Sequence, residues 1–189
     1  MKEMSLEELW QLYPIILKDH NPDYSSWYLE EEQRLRTLLS GFNIRRVSHI
    51  GSTAVVGLIA KPTIDILLEL PADYAVNQAA ELLKRDWILM QKDEEKRTLD
   101  LGKGYLPHGF AEKVYHLHVK PFGDWNELYF RDYLRKYPDA ARQYEALKLG
   151  LKARYEHNRD AYTMAKSDFV LEYSKKAKQE FAGRYLPVK

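Results

Sequence analysis

The run Thr63-Ile64-Asp65-Ile66-Leu67-Leu68-Glu69-Leu70 lies between Pro62 and Pro71, and it limits the possible folds more than any other stretch. Proline lacks a ladder donor, so a pair of prolines fences a strand rather than lying within it. Successive side chains of a strand point to opposite faces. Ile64, Ile66, Leu68 and Leu70 therefore belong to a core. Thr63, Asp65, Leu67 and Glu69 share the other face. A run as apolar as Ile66-Leu67-Leu68 reads as covered on both sides. Acids next to it need a reason.

The preceding segment supplies one. Residues 44 to 50 read as a strand that ends in Gly51-Ser52, followed by a turn or short helix up to Leu58 and then Lys61. A glycine lets the backbone approach a phosphate, and a helix start offers free N–H groups. Ser52 adds a hydroxyl donor. Asp65 and Glu69 are hard oxygen ligands suited to Mg²⁺. Each feature alone has an ordinary explanation: Gly-Ser is a common turn, and acids on a strand can simply face solvent. A later strand, Val114 to Lys120, repeats the alternation. Tyr115, Leu117 and Val119 face one way; His116, His118 and Lys120 face the other. If the two strands are neighbours, Asp65, Glu69, His116 and His118 meet on one face. Imidazoles there could ligate a metal, bond a phosphate or take a proton near neutrality.

Elsewhere the pattern predicts a helix from Ser5 to Asp19, a break at His20-Asn21-Pro22-Asp23, and a helix from Ser26 to Leu39 stopped at Gly41. A helix over Tyr74 to Arg85, strands over Trp87 to Gln91 and Arg97 to Leu101, and a loop over Gly102 to Gly109 follow. Near Gly123 the pattern turns helical, with helices near 126–136, 138–157 and 159–182. Runs of strands followed by runs of helices predict an α+β fold: a mixed β-sheet flanked by helices, with a helical C-terminal part. One domain is expected over 1–189, with N-terminal helices in 1–43, the sheet core and its site in 44–123, and a helical subdomain in 124–189. Tyr162 and Lys166 are four apart and share a helix face, as do Tyr144 and Lys148. Arg131 and Arg135 add further cations.

Bulk properties exclude some roles. A formal net charge of +1, with 30% charged residues, gives no electrostatic basis for binding duplex nucleic acid. The chain has no cysteine, hence no disulfide, no thiol nucleophile and no thiolate zinc site. Met1 to Glu8 is too polar for a signal peptide, and no apolar run approaches the ~20 residues of a membrane span. No membrane association and a cytoplasmic location are the expectation. The 14 tyrosines suit half-buried helix contacts or a cleft rim.

Taken in order, His49-Ile50-Gly51-Ser52-Thr53-Ala54-Val55, Gly57-Leu58, Lys61-Pro62, Ile64-Asp65-Ile66, His116-Leu117-His118-Val119, Phe130-Arg131-Asp132-Tyr133-Leu134-Arg135, Tyr144, Leu147-Lys148, and Tyr162 with Lys166 resemble the GrpB-like family, a branch of the nucleotidyltransferase superfamily. The resemblance implies a Gly-Ser turn that holds a triphosphate, and acids that hold two Mg²⁺ ions. Gly51 and Ser52 match the turn, and Asp65 matches the first acid. Leu67 stands at the second acid position, with Glu69 as its expected substitute and His118 or His116 at the third. Lys61, Arg131, Lys148, Tyr162 and Lys166 are the further residues expected to bind nucleotide. Two functions follow. One is a Mg²⁺-dependent nucleotidyltransferase with Asp65, Glu69 and His118 as catalytic residues, moving a nucleotidyl group from an NTP to an acceptor. The other is a nucleotide-binding or regulatory module that lacks two-metal catalysis. Apart from the resemblance, the residues alone leave open a histidine-based hydrolase or metal site on His116, His118 and Glu69, with His49 as a further candidate.

Overall fold

The sheet is built outward from the proline-fenced strand. The structure, a computed structural model, describes residues 5–187. Strand β2 (Thr63–Leu70) pairs antiparallel with β1 (Arg46–Ile50) and parallel with β5 (Gly109–Pro121). β5 pairs antiparallel with β4 (Thr98–Leu106), which pairs antiparallel with β3 (Ile88–Asp93). The order is β1-β2-β5-β4-β3, a mixed sheet. β2 has neighbours on both edges and layers on both faces, so Ile66, Leu67 and Leu68 are all fully buried.

One face carries the main core. Ile64, Ile66 and Leu68 join Leu99, Leu101, Leu117 and Val119 against helices α2 (Tyr24–Leu38) and α3 (Val76–Leu83). The polar face receives the C-terminal helices: α4 (Asn126–Lys136), α5 (Pro138–Tyr155), α6 (Arg159–Ala165) and α7 (Ser167–Glu180). Leu128 of α4 packs on Leu67 and Ile50. The tyrosines largely make helix contacts: Tyr144 meets Phe130 edge-on at 5.2 Å and stacks on Phe169 at 5.2 Å. Such aromatic pairs add to plain area burial. Among the described residues, no helix is long and apolar enough to cross a membrane.

Three elements differ from the sequence expectation. The single helix expected over 159–182 is two, α6 and α7, joined at Lys166. Helix α1 (Leu6–Leu12) stops well before Asp19. Pro14 has no N–H to donate and disfavours the helical region for Tyr13 before it. The chain then runs extended, with the Ile15 N–H donating to Glu156 O at 2.8 Å and Lys18 bridging to Ala60. The expected loop over 102–109 is strand: β4 continues to Leu106 and β5 starts at Gly109. Gly104 marks a bulge there at φ +90°, and a Cβ would collide with Lys113 O.

Glu69 corrects a further expectation. It shares the face of Asp65, but that end of the face is sealed. Its carboxylate is fully buried and is held by the Arg46 guanidinium through Nε and through Nη2 at 2.8 Å. The Gly123 N–H donates to it at 3.0 Å. Arg46 stands directly opposite Glu69 in the β1–β2 register. It is lodged between the rings of Phe122 and Tyr185. These donors occupy the oxygens that would serve a metal, so Glu69 is part of the framework rather than the site. Arg46→Ala would leave a buried carboxylate unpaired, which costs about 3–5 kcal/mol. Urea unfolding should show that loss as a lower midpoint. Glu69→Gln, which keeps the shape without the charge, should lose less.

Candidate functional site

Where β2 begins, the polar face stays open. A cavity of about 620 Å³ lies between it and the C-terminal helices. Asp65, His116 and His118 form its sheet wall; Lys148, Tyr162 and Lys166 come from the helices; Gly51, Ser52 and Lys61 also line it.

The turn after β1 shapes the sheet wall. Gly51 has φ +70°, a left-handed conformation natural to glycine. A Cβ on it would overlap the Asp65 carboxylate. Asp65 and His116 are register partners on β2 and β5, and His116 Nδ1 lies 3.2 Å from Asp65 Oδ1. A carboxylate only accepts, so Nδ1 carries a proton, and Nε2 lies 2.5 Å from Tyr105 OH. Arg159 Nη2 in turn donates to that hydroxyl at 3.3 Å. Burial pushes the Asp65 carboxyl upward, but His116, His118 and Lys61 outweigh it and hold its pKa below the usual value.

A second imidazole–carboxylate pair stands beside the first. His118 Nδ1 lies 2.6 Å from Asp100 Oδ1, across the β4–β5 register. The His116 and His118 rings are 6.4 Å apart. Burial lowers the His118 pKa, yet the bond to Asp100 and the charges of Asp65, Asp100 and Glu127 leave it raised. Asp100 escaped the sequence analysis, although the alternation Thr98-Leu99-Asp100-Leu101-Gly102 carried its signal. Leu99 and Leu101 are buried in the main core, so Asp100 must face the other way.

The opposite wall is cationic. Lys148 is only 2% exposed; its Nζ donates to Ser52 Oγ at 3.3 Å and to Ile59 O. Burial, helped by Lys166, brings its pKa down to about 7. Burial also lowers Lys61 to about 8, assisted by Lys166 and Arg159 and opposed by Asp65. Lys166 is lowered chiefly by burial, with its Nζ 4.5 Å from the centre of the Tyr162 ring. Among the described residues, none of Lys61, Lys148, Arg159 and Lys166 makes an ion pair within 4.0 Å. Tyr162 OH and Ser174 Oγ, both buried and lining the cavity, have no hydrogen-bond partner there. Arg159 was also missed. It sits three residues before Tyr162 and seven before Lys166, the spacing of one helix face.

Two other candidates lie outside the cavity. Arg131 is fully engaged: Nη1 donates to His49 O at 3.0 Å, Nη2 to Tyr185 OH at 2.8 Å and Nε to Asp132 Oδ1 at 2.9 Å. It ties α4 to β1 and does not line the cleft. His49 is buried, stacked on Tyr28 at 4.9 Å and bonded to Thr53 Oγ1 at 3.0 Å. Burial drops its pKa to about 4. The residues present do not fit a two-metal centre. Leu67 lies under Leu128 and Glu69 is taken by Arg46, which leaves Asp65 as the only one of the expected acids in the cleft. Among the described residues, no three His, Asp or Glu side chains form a group that could hold a metal ion.

Known proteins match both chain and fold. A family model described as GrpB protein matches residues 14–176. The UPF0157 protein YqkA of Bacillus subtilis (strain 168) is 32% identical over 187 residues, covering 95% of this chain and 52% of its own. The chain thus spans about half the length of that relative. The crystal structure of conserved protein GrpB from Enterococcus faecalis superposes with a TM-score of 0.74 at 28% identity, over 88% of this chain and 99% of that one. The GLD-2/RNP-8 complex shares the fold at a TM-score of 0.50 and 13% identity, over 88% and 68% of the two chains. With its five-stranded mixed sheet and capping helices, this chain belongs to the GrpB protein family.

Proposed function

We propose that the cleft binds the polyphosphate of a nucleoside triphosphate, and that the fold acts here as a nucleotide-binding module without two-metal chemistry. The observation that carries this is the convergence of Lys61, Lys148, Arg159 and Lys166, none with an acid partner within 4.0 Å among the described residues, around the Gly51-Ser52 turn. Cations that depress one another's pKa in a partly desolvated cleft are relieved by an anion of several charges. Charge-assisted hydrogen bonds of this kind are worth roughly 1.5–3 kcal/mol each. Ser52 supplies a neutral donor once an anion draws the Lys148 ammonium away from it. Inorganic tripolyphosphate and the common nucleoside triphosphates should bind in calorimetry, and binding should persist in EDTA because lysines meet the phosphates directly. Lys148→Met, close in length but neutral, should weaken binding by about tenfold or more. If no nucleotide and no polyphosphate binds, the proposal fails.

The same lysine sets a pH dependence. Free Lys148 has a pKa of about 7, and a bound phosphate stabilises its charged form and raises that value. Below pH 7 the charge is already present. Between about pH 7 and 9 binding must take up a proton, so affinity should fall as pH rises across that window. Calorimetry in buffers of different ionisation enthalpy measures the uptake directly. Equal affinity at pH 6.5 and 8.5 would contradict it.

One observation supports transfer activity as a second function: the Asp100–His118 pair. With Nδ1 bonded to Asp100, the opposite nitrogen, Nε2, is left to act as a base. The acceptor hydroxyl would give its proton to Nε2, its oxygen would bond the α-phosphorus, and pyrophosphate would leave with the electrons of the broken P–O bond. Labelled ATP incubated with a small-metabolite extract should then yield a labelled product. His118→Gln should abolish that product while nucleotide affinity changes less than about threefold. Undiminished transfer in His118→Gln removes histidine from the chemistry.

A further inference from the structure

Behind the Thr53–Leu58 segment, away from the first cleft, lies a second cavity of about 520 Å³. We infer that it is a binding site for a small oxyanion, a carboxylate or a phosphate, held by the Arg135 guanidinium, with His20 lining the same cavity.

Arg135 is prepared for this ligand. Its Nε donates to Ala54 O at 2.9 Å, which fixes the plane of the guanidinium at the cavity wall. Neither Nη has a hydrogen-bond partner among the described residues, and no carboxylate lies within 4.0 Å of it. An anchored guanidinium with both outer nitrogens free presents the fork that grips two oxygens of one anion. Its helix neighbour Arg131 offers the contrast, since all three of its nitrogens are used internally.

The other charged groups in this cavity leave the Arg135 fork unpaired. Glu145 lines it, but its Oε2 accepts the Ile59 N–H at 3.2 Å. Arg142 lines it too and pairs with Asp139 on the exposed surface. His20 contributes the second observation. It lines the same cavity, and its Nδ1 is buried without any hydrogen-bond partner. That nitrogen is out of reach of solvent and costly to leave unpaired, and a ligand oxygen would satisfy it once the ring turns toward the cavity. Burial holds the His20 pKa below its usual value, so near neutrality the imidazole can bond an anion as a neutral donor. Anionic recognition here uses different residues from the first cleft, so it stands or falls independently of the nucleotide proposal.

Carbon–proton NMR of the imidazole groups tests it. The six histidines are few enough to assign by substitution, with His20 reporting the second cavity and His118 the first. Inorganic phosphate and succinate serve as separate probes for the two oxyanion classes. A saturable shift of the His20 signal with either one supports the site and names the class. In Arg135→Gln the midpoint of that shift should rise about tenfold, while any His118 response keeps its midpoint. Arg135→Lys, which keeps the charge without the fork, should fall between. Unchanged spectra elsewhere show that the variants remain folded. If neither anion moves His20, or if Arg135→Gln leaves the midpoint unaltered, the inference is overturned.

Discussion

Parallel pairing of β2 with β5 is the constraint on which the rest depends. It places Asp65 beside His116 and Leu67 beside His118, so acid and imidazole meet although fifty residues separate them in sequence. Parallel strands need a long crossover, and here it runs through α3 and the β3–β4 hairpin before β5 returns to the centre. That detour also lays β4 along the far edge of β5, which brings Asp100 to His118. Two carboxylate–imidazole pairs side by side are thus a product of topology. Gly51 completes the arrangement, because only a residue without a Cβ can turn so close to Asp65.

Much of this was legible in the residues. Proline fences and a strict alternation identified β2 and its inward face, and a second alternation gave the shared face of His116 and His118. Periodicity reports which way a side chain points; it is silent about what covers that side. Asp65, Leu67 and Glu69 point the same way, yet one meets an open cleft, one meets Leu128 and one meets Arg46. The partner of Glu69 depends on the β1–β2 register, and the cover over Leu67 depends on where α4 docks. Neither is written in local sequence. The β4–β5 hairpin was hidden for a different reason: its glycines read as loop, whereas Gly104 serves a bulge within the strand. Asp100 was visible in principle, but its strand had not been paired with β5, so its parity had no consequence.

The aromatic packing of the helical half explains how the cationic wall is held in place. Tyr144 precedes Lys148 by one helical turn, and Tyr162 precedes Lys166 in the same way. Each ring lies under its lysine, with Nζ 4.8 Å from the Tyr144 centre and 4.5 Å from that of Tyr162. A ring face favours a cation and gives the flexible stem a fixed bed. Lysines that would otherwise reach solvent are kept pointing into the cavity. The tyrosine-rich composition therefore serves the site as well as the core.

Two buried charges in this molecule are treated in opposite ways, and the contrast separates framework from site. Glu69 and Arg46 are matched by geometry, with donors from Arg46 and Gly123 meeting both carboxylate oxygens. Nothing is left for a ligand, and removing either partner damages the fold. Lys148 is nearly as buried but meets a hydroxyl, a backbone carbonyl and the Tyr144 ring, with no carboxylate within 4.0 Å among the described residues. A purely structural lysine would gain stability from an acid at that position or from an apolar replacement. Retaining an unpaired ammonium where three more cations converge is destabilising on its own terms. It becomes favourable when an anion occupies the space between them, and strongly perturbed groups of this kind cluster at functional sites for that reason.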